Sequence, residues 1–308
     1  MNARRPLPLA LLKAMRPKQW IKNLLLFAGF VFTMNERWRP FTPEMWDFLL
    51  RSLAAFGLFS LISSSVYLLN DVRDVEKDRA HPTKRNRPIA SGELSPRVAI
   101  TVGVALMPLC LIAGYLLSPA FAAVAASYLL MQFAYILVLK NVVLLDVFVI
   151  ALGFVMRAVS GAVVIGAEIS PWLYTVTLLG ALFLGLCKRR NELLLLETGA
   201  VHHRKILEMY TPSLLDSLIS IVASSTIMAY SLYTFTSVTG RAQGGSGGSN
   251  LMMLTIPFVI FGLFRYVFLA HRQNAGGSPE EVFLKDRPLI VTILLWILST
   301  GLIMGLRR

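Results

Sequence analysis

Between Asn70 and Gly92 the chain reads NDVRDVEKDRAHPTKRNRPIASG, three aspartates and a block of cations set between apolar stretches. Asp71, Asp74 and Asp78 are spaced i, i+3 and i+7, which puts all three carboxylates on one face of a helix. Three crowded anions repel one another, and the usual remedy is a hard divalent cation. Mg²⁺ takes only one or two protein carboxylates directly and fills its octahedron with water and phosphate oxygens, so a phosphorylated substrate is implied. The bland alternative is a solvated loop in which the aspartates pair with Arg73, Lys77 and Arg79, isolated surface pairs worth little. Against it stand His81, Lys84, Arg85 and Arg87, cations for phosphate oxygens that follow the carboxylates within a Pro-punctuated loop.

Three further segments carry charge at the ends of apolar runs, and that shared location argues for a single site. RPKQWIKN (Arg16 to Asn23) brings Lys18, Lys22 and Asn23 to a membrane edge, where a snorkelling anchor is the commoner role. Lys140 opens another run, and Asp146 lies six residues further in, about 9 Å deeper on one continuous helix. A carboxylate at that depth calls for a polar cavity or a cation. Arg157 is about 25 Å from Lys140 on the same helix, too far to reach Asp146, so it needs another partner. Interhelical hydrogen bonding serves it as well as substrate binding does. In CKRRNELLLLE, Lys188, Arg189 and Arg190 precede Glu192; topology explains the cations, and Glu192 has the spacing to pair simply with Lys188.

The elements that must hold these groups are membrane helices. Hydrophobic residues make up 56% of the 308, charged residues only 15%, and mean hydropathy is +0.64, which excludes an ordinary soluble globule. Nine candidate spans are expected, at 20–34, 46–69, 97–117, 119–139, 141–166, 171–187, 213–238, 250–271 and 288–306. The first is the weakest, because Lys22 and Asn23 shorten its apolar run. Residues 1–19 lack a signal-peptide cleavage pattern and are expected to form an interfacial segment, with Arg4, Arg5, Lys13, Arg16 and Lys18 near lipid phosphates.

Lys and Arg concentrate at the N-terminus, in 70–96, at Lys140, in 188–205 and in 272–287, which places those loops and the N-terminus in the cytoplasm. Arg307 and Arg308 run against this rule. The net charge of +13 lies at membrane edges, so it reads as topology and attraction for anionic lipid, not as a nucleic-acid surface. Cys110 and Cys187 fall within or at the end of spans, which excludes a disulfide framework. The adjacent His202 and His203 point to different faces, against a zinc site, and GGSGGS (Gly244 to Ser249) reads as a flexible outer linker. The chain is thus expected to be all-α and polytopic, one integral-membrane domain over 1–308, with 70–96 and 188–212 as its two working loops.

NDVRDVEKD fits NDxxDxxxD and resembles the first aspartate-rich motif of the UbiA-type intramembrane prenyltransferase superfamily. That resemblance implies a nine-helix UbiA-type bundle in which the motif binds Mg²⁺ and a donor diphosphate. A second aspartate-rich motif belongs after span six, and here CKRRNELLLLE stands in its place, with Lys188, Arg189 and Glu192 where carboxylates are expected. The departure, together with RPKQWIKN, HPTKRNRPIASG and KNVVLLDVFVIALGFVMRAVSGA, makes the chain similar to the superfamily branch that acts on phosphoribosyl diphosphate.

The resemblance implies transfer of 5-phosphoribose from phosphoribosyl diphosphate to a polyprenyl (decaprenyl) phosphate, feeding the lipid-linked arabinose donor of cell-wall arabinan. It further implies Asp71, Asp74 and Asp78 as catalytic residues, with Asn70, Asp74 and Asp78 as Mg²⁺ ligands. Lys22, Asn23, Lys84, Arg85, Arg87, Lys140, Asp146, Arg157, Lys188, Arg189 and Glu192 are the implied substrate contacts. Because the acceptor is already an anion, no general base is needed. Membrane lipid and both substrates are the expected partners, nucleic acid is not, and a homo-oligomer is left open. The expected location is the plasma (inner) membrane with the site facing the cytoplasm. A prenyl diphosphate donor with an aromatic acceptor is the alternative, and it predicts the missing second carboxylate motif. A transporter using Asp146 and Arg157 as pathway residues leaves the carboxylate triplet without a use.

Overall fold

Segments this apolar can satisfy their own backbone in hydrocarbon only as helices or closed barrels. The computed structural model describes residues 6–81, 83–197, 205–236, 251–272, 282 and 285–305, and these are helical with short connections. His202, His203, the GGSGGS stretch, Arg307 and Arg308 lie outside the described residues. The helices are α1 (Leu7–Ala14), α2 (Phe27–Phe32), α3 (Pro43–Arg73), α4 (Val75–Ala80), α5 (Pro96–Leu117), α6 (Pro119–Leu137) and α7 (Leu145–Val164), then α8 (Pro171–Glu197), α9 (Pro212–Thr236), α10 (Ile256–Arg272) and α11 (Arg287–Gly305).

Among the described residues eight helices are long and apolar enough to cross a membrane, against the nine expected. The expected span 20–34 is not among the eight because it is built as a 3₁₀ stretch, Pro17–Leu26, followed by the six residues of α2. The physical reason is its polar content. Trp20 donates to Ser64 Oγ at 3.0 Å and Asn23 to Ser60 Oγ at 2.9 Å, so the segment is docked by side-chain hydrogen bonds onto the serine-rich face of α3.

The chain divides into two compact units. The first comprises Met1–Phe30, Trp46–Val142 and Met156–Ile169. Its larger core gathers Leu26, Phe59, Ile62, Phe121, Tyr128 and Ala162, and a smaller one packs Ala10 and Ala14 of α1 against Leu68, Ile89, Leu94 and Ala99. The second core ties the N-terminal helix to the end of α3 and to the loop behind it, which is how α1 reaches the acidic segment. Leu26 runs against Gly161 of α7 so closely that a Cβ on Gly161 meets the Leu26 carbonyl oxygen inside any tolerable contact. Gly161→Ala is therefore expected to destabilise by about 3 kcal/mol or more, since backbone, not a flexible side chain, must give way. A thermal melt of the purified protein checks it, and an unchanged midpoint refutes the close approach.

The second unit comprises Val31–Met45, Val143–Val155 and Ser170–Arg308. Its core includes Val147, Phe183, Leu186, Leu215, Ile219, Tyr266 and Leu289. The start of α11 is capped by Asp286, whose Oδ1 accepts from the Leu289 amide at 2.9 Å. Arg265 forks onto the same carboxylate at 2.8 and 3.2 Å and holds its pKa below the ordinary aspartate value.

Candidate active site

The acidic segment straddles a helix junction in the first unit. α3 stops at Arg73, whose guanidinium donates to the Ile136 carbonyl, and α4 starts at Val75. Backbone bonds from Asp74 to Asn70 and from Asp78 to Asp74, both 2.9 Å, carry the helical pattern across the break. Asp71 and Asp78 are 2% and 4% exposed, so each needs a cation. Arg87 supplies one nitrogen to both, at 3.1 Å from Asp71 and 2.6 Å from Asp78, and Arg16 reaches Asp71 at 2.5 Å. Asp74 instead faces Lys140 at 3.6 Å.

Two of the three neighbouring cations that offered local neutralisation turn elsewhere: Arg73 to Ile136, Arg79 to Glu76 and to the Ala90 carbonyl. Asp71 and Asp74 are matched by the remote Arg16 and Lys140, and Asp71 and Asp78 by Arg87 of the same loop, so the buried carboxylates are not a solvated face. Of the three aspartates expected on one helix face, Asp71 and Asp78 share Arg87 and Asp74 faces Lys140.

Beside Asp71 opens a cleft of about 330 Å³ lined by Lys13, Arg16, Thr83, Lys84, Asn86 and Arg87. Four cations around one carboxylate is an arrangement for an anion. Arg85 sits on the same 3₁₀ turn, Lys84–Asn86, and is exposed; Asn70 is half-buried in the last turn of α3. Lys22, in the 3₁₀ stretch, is half-buried.

Asn23 and Arg157 meet within the first unit, Nε to Oδ1 at 2.7 Å, both buried. Arg157 also donates to the Tyr128 hydroxyl at 3.0 Å and lies over the Phe59 and Tyr128 rings. The partner Arg157 required is thus the asparagine of RPKQWIKN, and the pair joins α7 to the N-terminal 3₁₀ stretch.

The second unit has its own ion cluster. Asp146 does not lie six residues inside a helix begun at Lys140: Lys140 is on a separate 3₁₀ turn, Leu139–Asn141, and Leu144 at φ 67° interrupts the chain before α7. Asp146 therefore belongs to the first turn of α7, where a carboxylate favours the helix N-terminus. It is fully buried and accepts from Arg189 Nε at 2.6 Å and from the Tyr210 hydroxyl at 3.0 Å. Arg189 also holds Glu192 as an i,i+3 pair on α8. Lys188 lies half-buried on the preceding position of α8, and Arg190 turns to Asp216 at 2.5 Å.

Tyr210 was not expected from the sequence. Its hydroxyl accepts from the Leu144 amide at 2.8 Å while donating to Asp146, and burial pushes its pKa from 10.0 up to about 12. The neutral phenol is favoured by folding, so its stabilisation is complete below the ordinary value and is lost as pH rises through the folded one. Tyr210→Phe is expected to cost about 1–3 kcal/mol at neutral pH, because Asp146 and Leu144 each lose a partner. It should also flatten that residue's share of the fall in melting temperature above pH 10. Identical melting curves for both proteins from pH 7 to 12 would show the hydroxyl to be idle.

Arg16 and Lys13 were likewise missed as site residues, being read as lipid-facing anchors. One signal lay in the sequence: Pro17 restricts Arg16, which takes φ 56°, a left-handed conformation rare for arginine.

Among the described residues no three His, Cys, Asp or Glu side chains group as a complete metal cage. The acidic segment nonetheless suits a hydrated hard cation. Asp71 and Asp78 converge on one arginine nitrogen, and Mg²⁺ needs only one or two carboxylates when phosphate oxygens and water supply the rest.

Comparison with known proteins places these features in context. The profile of the UbiA prenyltransferase family matches residues 24–285. The decaprenyl-phosphate phosphoribosyltransferase of Mycobacterium tuberculosis strain H37Rv is 37% identical over 94% of this chain and 92% of its own length. The Corynebacterium glutamicum protein of the same name is 36% identical over 93% and 84%. Among solved structures, a UbiA homolog from Archaeoglobus fulgidus bound to DMAPP and Mg²⁺ superposes with a TM-score of 0.69 at 17% identity, covering 96% of this chain and 99% of that one. At that identity the likeness is one of fold.

Proposed function

The chain belongs to the UbiA prenyltransferase family, and from that premise we propose that it transfers 5-phosphoribose from phosphoribosyl diphosphate to a polyprenyl phosphate such as decaprenyl phosphate. The observation that carries the reading is kinship at 36–37% identity along 93–94% of the chain with enzymes bearing that name. The cationic cleft beside Asp71 supports it. The product would serve as precursor of the lipid-linked arabinose donor for cell-wall arabinan.

In the proposed reaction an oxygen of the acceptor phosphate forms a bond to ribose C1. The C1–O bond to diphosphate breaks in line, with inversion, and diphosphate leaves with the electron pair. Arg16, Lys84 and Arg87 hold phosphate oxygens and stabilise negative charge on the leaving group. Asp71 and Asp78 would hold Mg²⁺, with Asp74 and Asn70 in the same segment. When bound, that ion neutralises charge on the diphosphate. Asp146, Arg189 and Glu192 keep the start of α7 and the end of α8 in place, and Asn23 with Arg157 does the same for the 3₁₀ stretch; Lys22, Arg85, Lys140 and Lys188 add positive charge.

The chain is proposed to act as one transferase domain with nine crossings, N-terminus inside and the acidic loop facing the cytoplasm. Arg16 touches Asp71 at the far end of α3, so the residues between them must leave and return across the height of that helix. Ten residues at about 2.0 Å and six at about 1.5 Å give the Pro17–Phe32 stretch a reach of about 29 Å, close to the hydrocarbon thickness of about 30 Å. The distribution of Lys and Arg favours this orientation. A cysteine placed at Thr83 should react with an impermeant maleimide only from the cytoplasmic side, and labelling of intact cells refutes the orientation.

The direct test uses purified full-length protein with labelled phosphoribosyl diphosphate and decaprenyl phosphate. Label is expected in the lipid extract with Mg²⁺ and not with excess chelator. Transfer from a prenyl diphosphate to an aromatic acceptor in its place would overturn the reading.

A further inference from the structure

We infer that the cleft walled by α1 binds the phosphomonoester at C5 of the sugar donor, and that Lys13 and Arg16 are the residues that distinguish such a donor from a simple diphosphate. The inference rests on the phosphoribosyl-transfer reading and says where its second anionic group is held.

Phosphoribosyl diphosphate carries a diphosphate on C1 and a separate phosphate on C5, whereas a prenyl diphosphate has only the first. A protein that accepts the former needs cations for a second anion besides those that meet the diphosphate. The Asp71–Arg87–Asp78 cluster lies within residues 24–285, the part of the chain that the prenyltransferase family profile matches. Lys13 and Arg16 lie upstream of it and line the same cleft. Asp71 and Arg87 at the cleft suit a metal-bound diphosphate; Lys13 and Arg16, contributed by the N-terminal segment, add positive charge for a further phosphate.

The added cations differ in a useful way. Arg16 is held in place by its left-handed backbone, its 2.5 Å bond to Asp71 and the Tyr67 ring under its guanidinium. It joins the two ends of the donor's site. Lys13 is held loosely, 3.3 Å from the Asn86 carbonyl and 3.5 Å from Glu93, with its side chain 37% exposed. Such a surface pair is worth little, so the ammonium can turn to a phosphate at small cost. Thr83 and Asn86 add polar groups to the wall, and about 330 Å³ suffices for a phosphorylated pentose end.

The acceptor's headgroup is also a phosphomonoester, so the experiment separates the two sources. Full-length protein in lipid nanodiscs is compared with Lys13→Ala, Lys13→Arg and Arg16→Lys. Inhibition by ribose 5-phosphate, inhibition by diphosphate with Mg²⁺, and KM for decaprenyl phosphate are each measured. Lys13→Ala is expected to weaken ribose 5-phosphate inhibition and raise KM for the donor by about tenfold or more. Diphosphate inhibition and acceptor KM should stay within about twofold of wild type, and Lys13→Arg should restore most of the loss. Arg16→Lys should weaken both inhibitors, because Arg16 also contacts Asp71.

Unchanged inhibition by ribose 5-phosphate in Lys13→Ala overturns the inference while transfer by wild type still stands. A rise in acceptor KM instead assigns the cleft to the lipid headgroup and overturns it equally. If wild type transfers no phosphoribose, the parent reading has failed. Direct binding of ribose 5-phosphate to wild type and Lys13→Ala then decides the cleft, and equal affinities count against it.

Discussion

Asp78→Asn is expected to lower kcat for phosphoribosyl transfer by about 10²–10³-fold, the scale seen when one preorganised electrostatic contact to a transition state is removed. The side chain is 4% exposed and spends one oxygen on Arg87 at 2.6 Å. Asparagine keeps its shape and loses its charge. Arg87 retains Asp71 at 3.1 Å, so the loop behind α4 keeps an anchor. The variant should therefore purify and melt like wild type while failing to place label in the lipid extract. Raising Mg²⁺ should recover part of the activity if the carboxylate is a metal contact. Full activity at ordinary Mg²⁺ removes Asp78 from the chemistry. Asp74→Asn is a useful companion, because Asp74 faces Lys140 at 3.6 Å and not Arg87; an equal loss there would make the metal site broader than the Arg87 pair.

Arg189→Met is expected to destabilise the protein by about 3–5 kcal/mol, the usual result of leaving one partner of a buried ion pair alone. Asp146 is fully buried, and Arg189 is 2% exposed with a 2.6 Å bond to it. Without the guanidinium, Asp146 keeps the Tyr210 hydroxyl, which is neutral, and no cation bonded to it among the described residues. Removing the charge as well, in Asp146→Leu with Arg189→Met, should recover most of the loss, since the expense lies in the uncompensated carboxylate. Denaturant titration of the four members of the cycle measures this. A single variant within about 1 kcal/mol of wild type, or a double variant no better than the single, contradicts the pairing. The exposed Arg51–Asp47 pair on α3, with side chains 44% and 52% exposed, is the contrast: breaking it should cost under about 1 kcal/mol.

Much of the architecture was legible from local composition. A segment that crosses hydrocarbon must be long, apolar and self-bonded, so expected spans such as 97–117 and 288–306 agree with α5 and α11 to within a residue at each end. The stretch 20–34 broke the pattern because Trp20 and Asn23 find hydrogen bonds on the serines of α3. Three consecutive serines in an apolar run, Ser63 to Ser65, were the unread signal of that docking.

The residues proposed to work were also legible locally, as the acids and bases that stand out in an apolar chain. Their partners were not. Asp71 is matched by Arg16 from 55 residues away, Asp146 by Arg189 and Tyr210 from 43 and 64 away, and Arg157 by Asn23 from 134 away. No spacing rule reaches across such separations. Helix pitch governs which side chains share a face within a few turns, whereas these pairs exist only because packed helices bring remote ends to one level and burial leaves each charge no solvent to turn to. Leu144 makes the same point in one residue: its left-handed backbone moved Asp146 from mid-helix to a helix start, and only the docked chain around it makes that conformation tolerable.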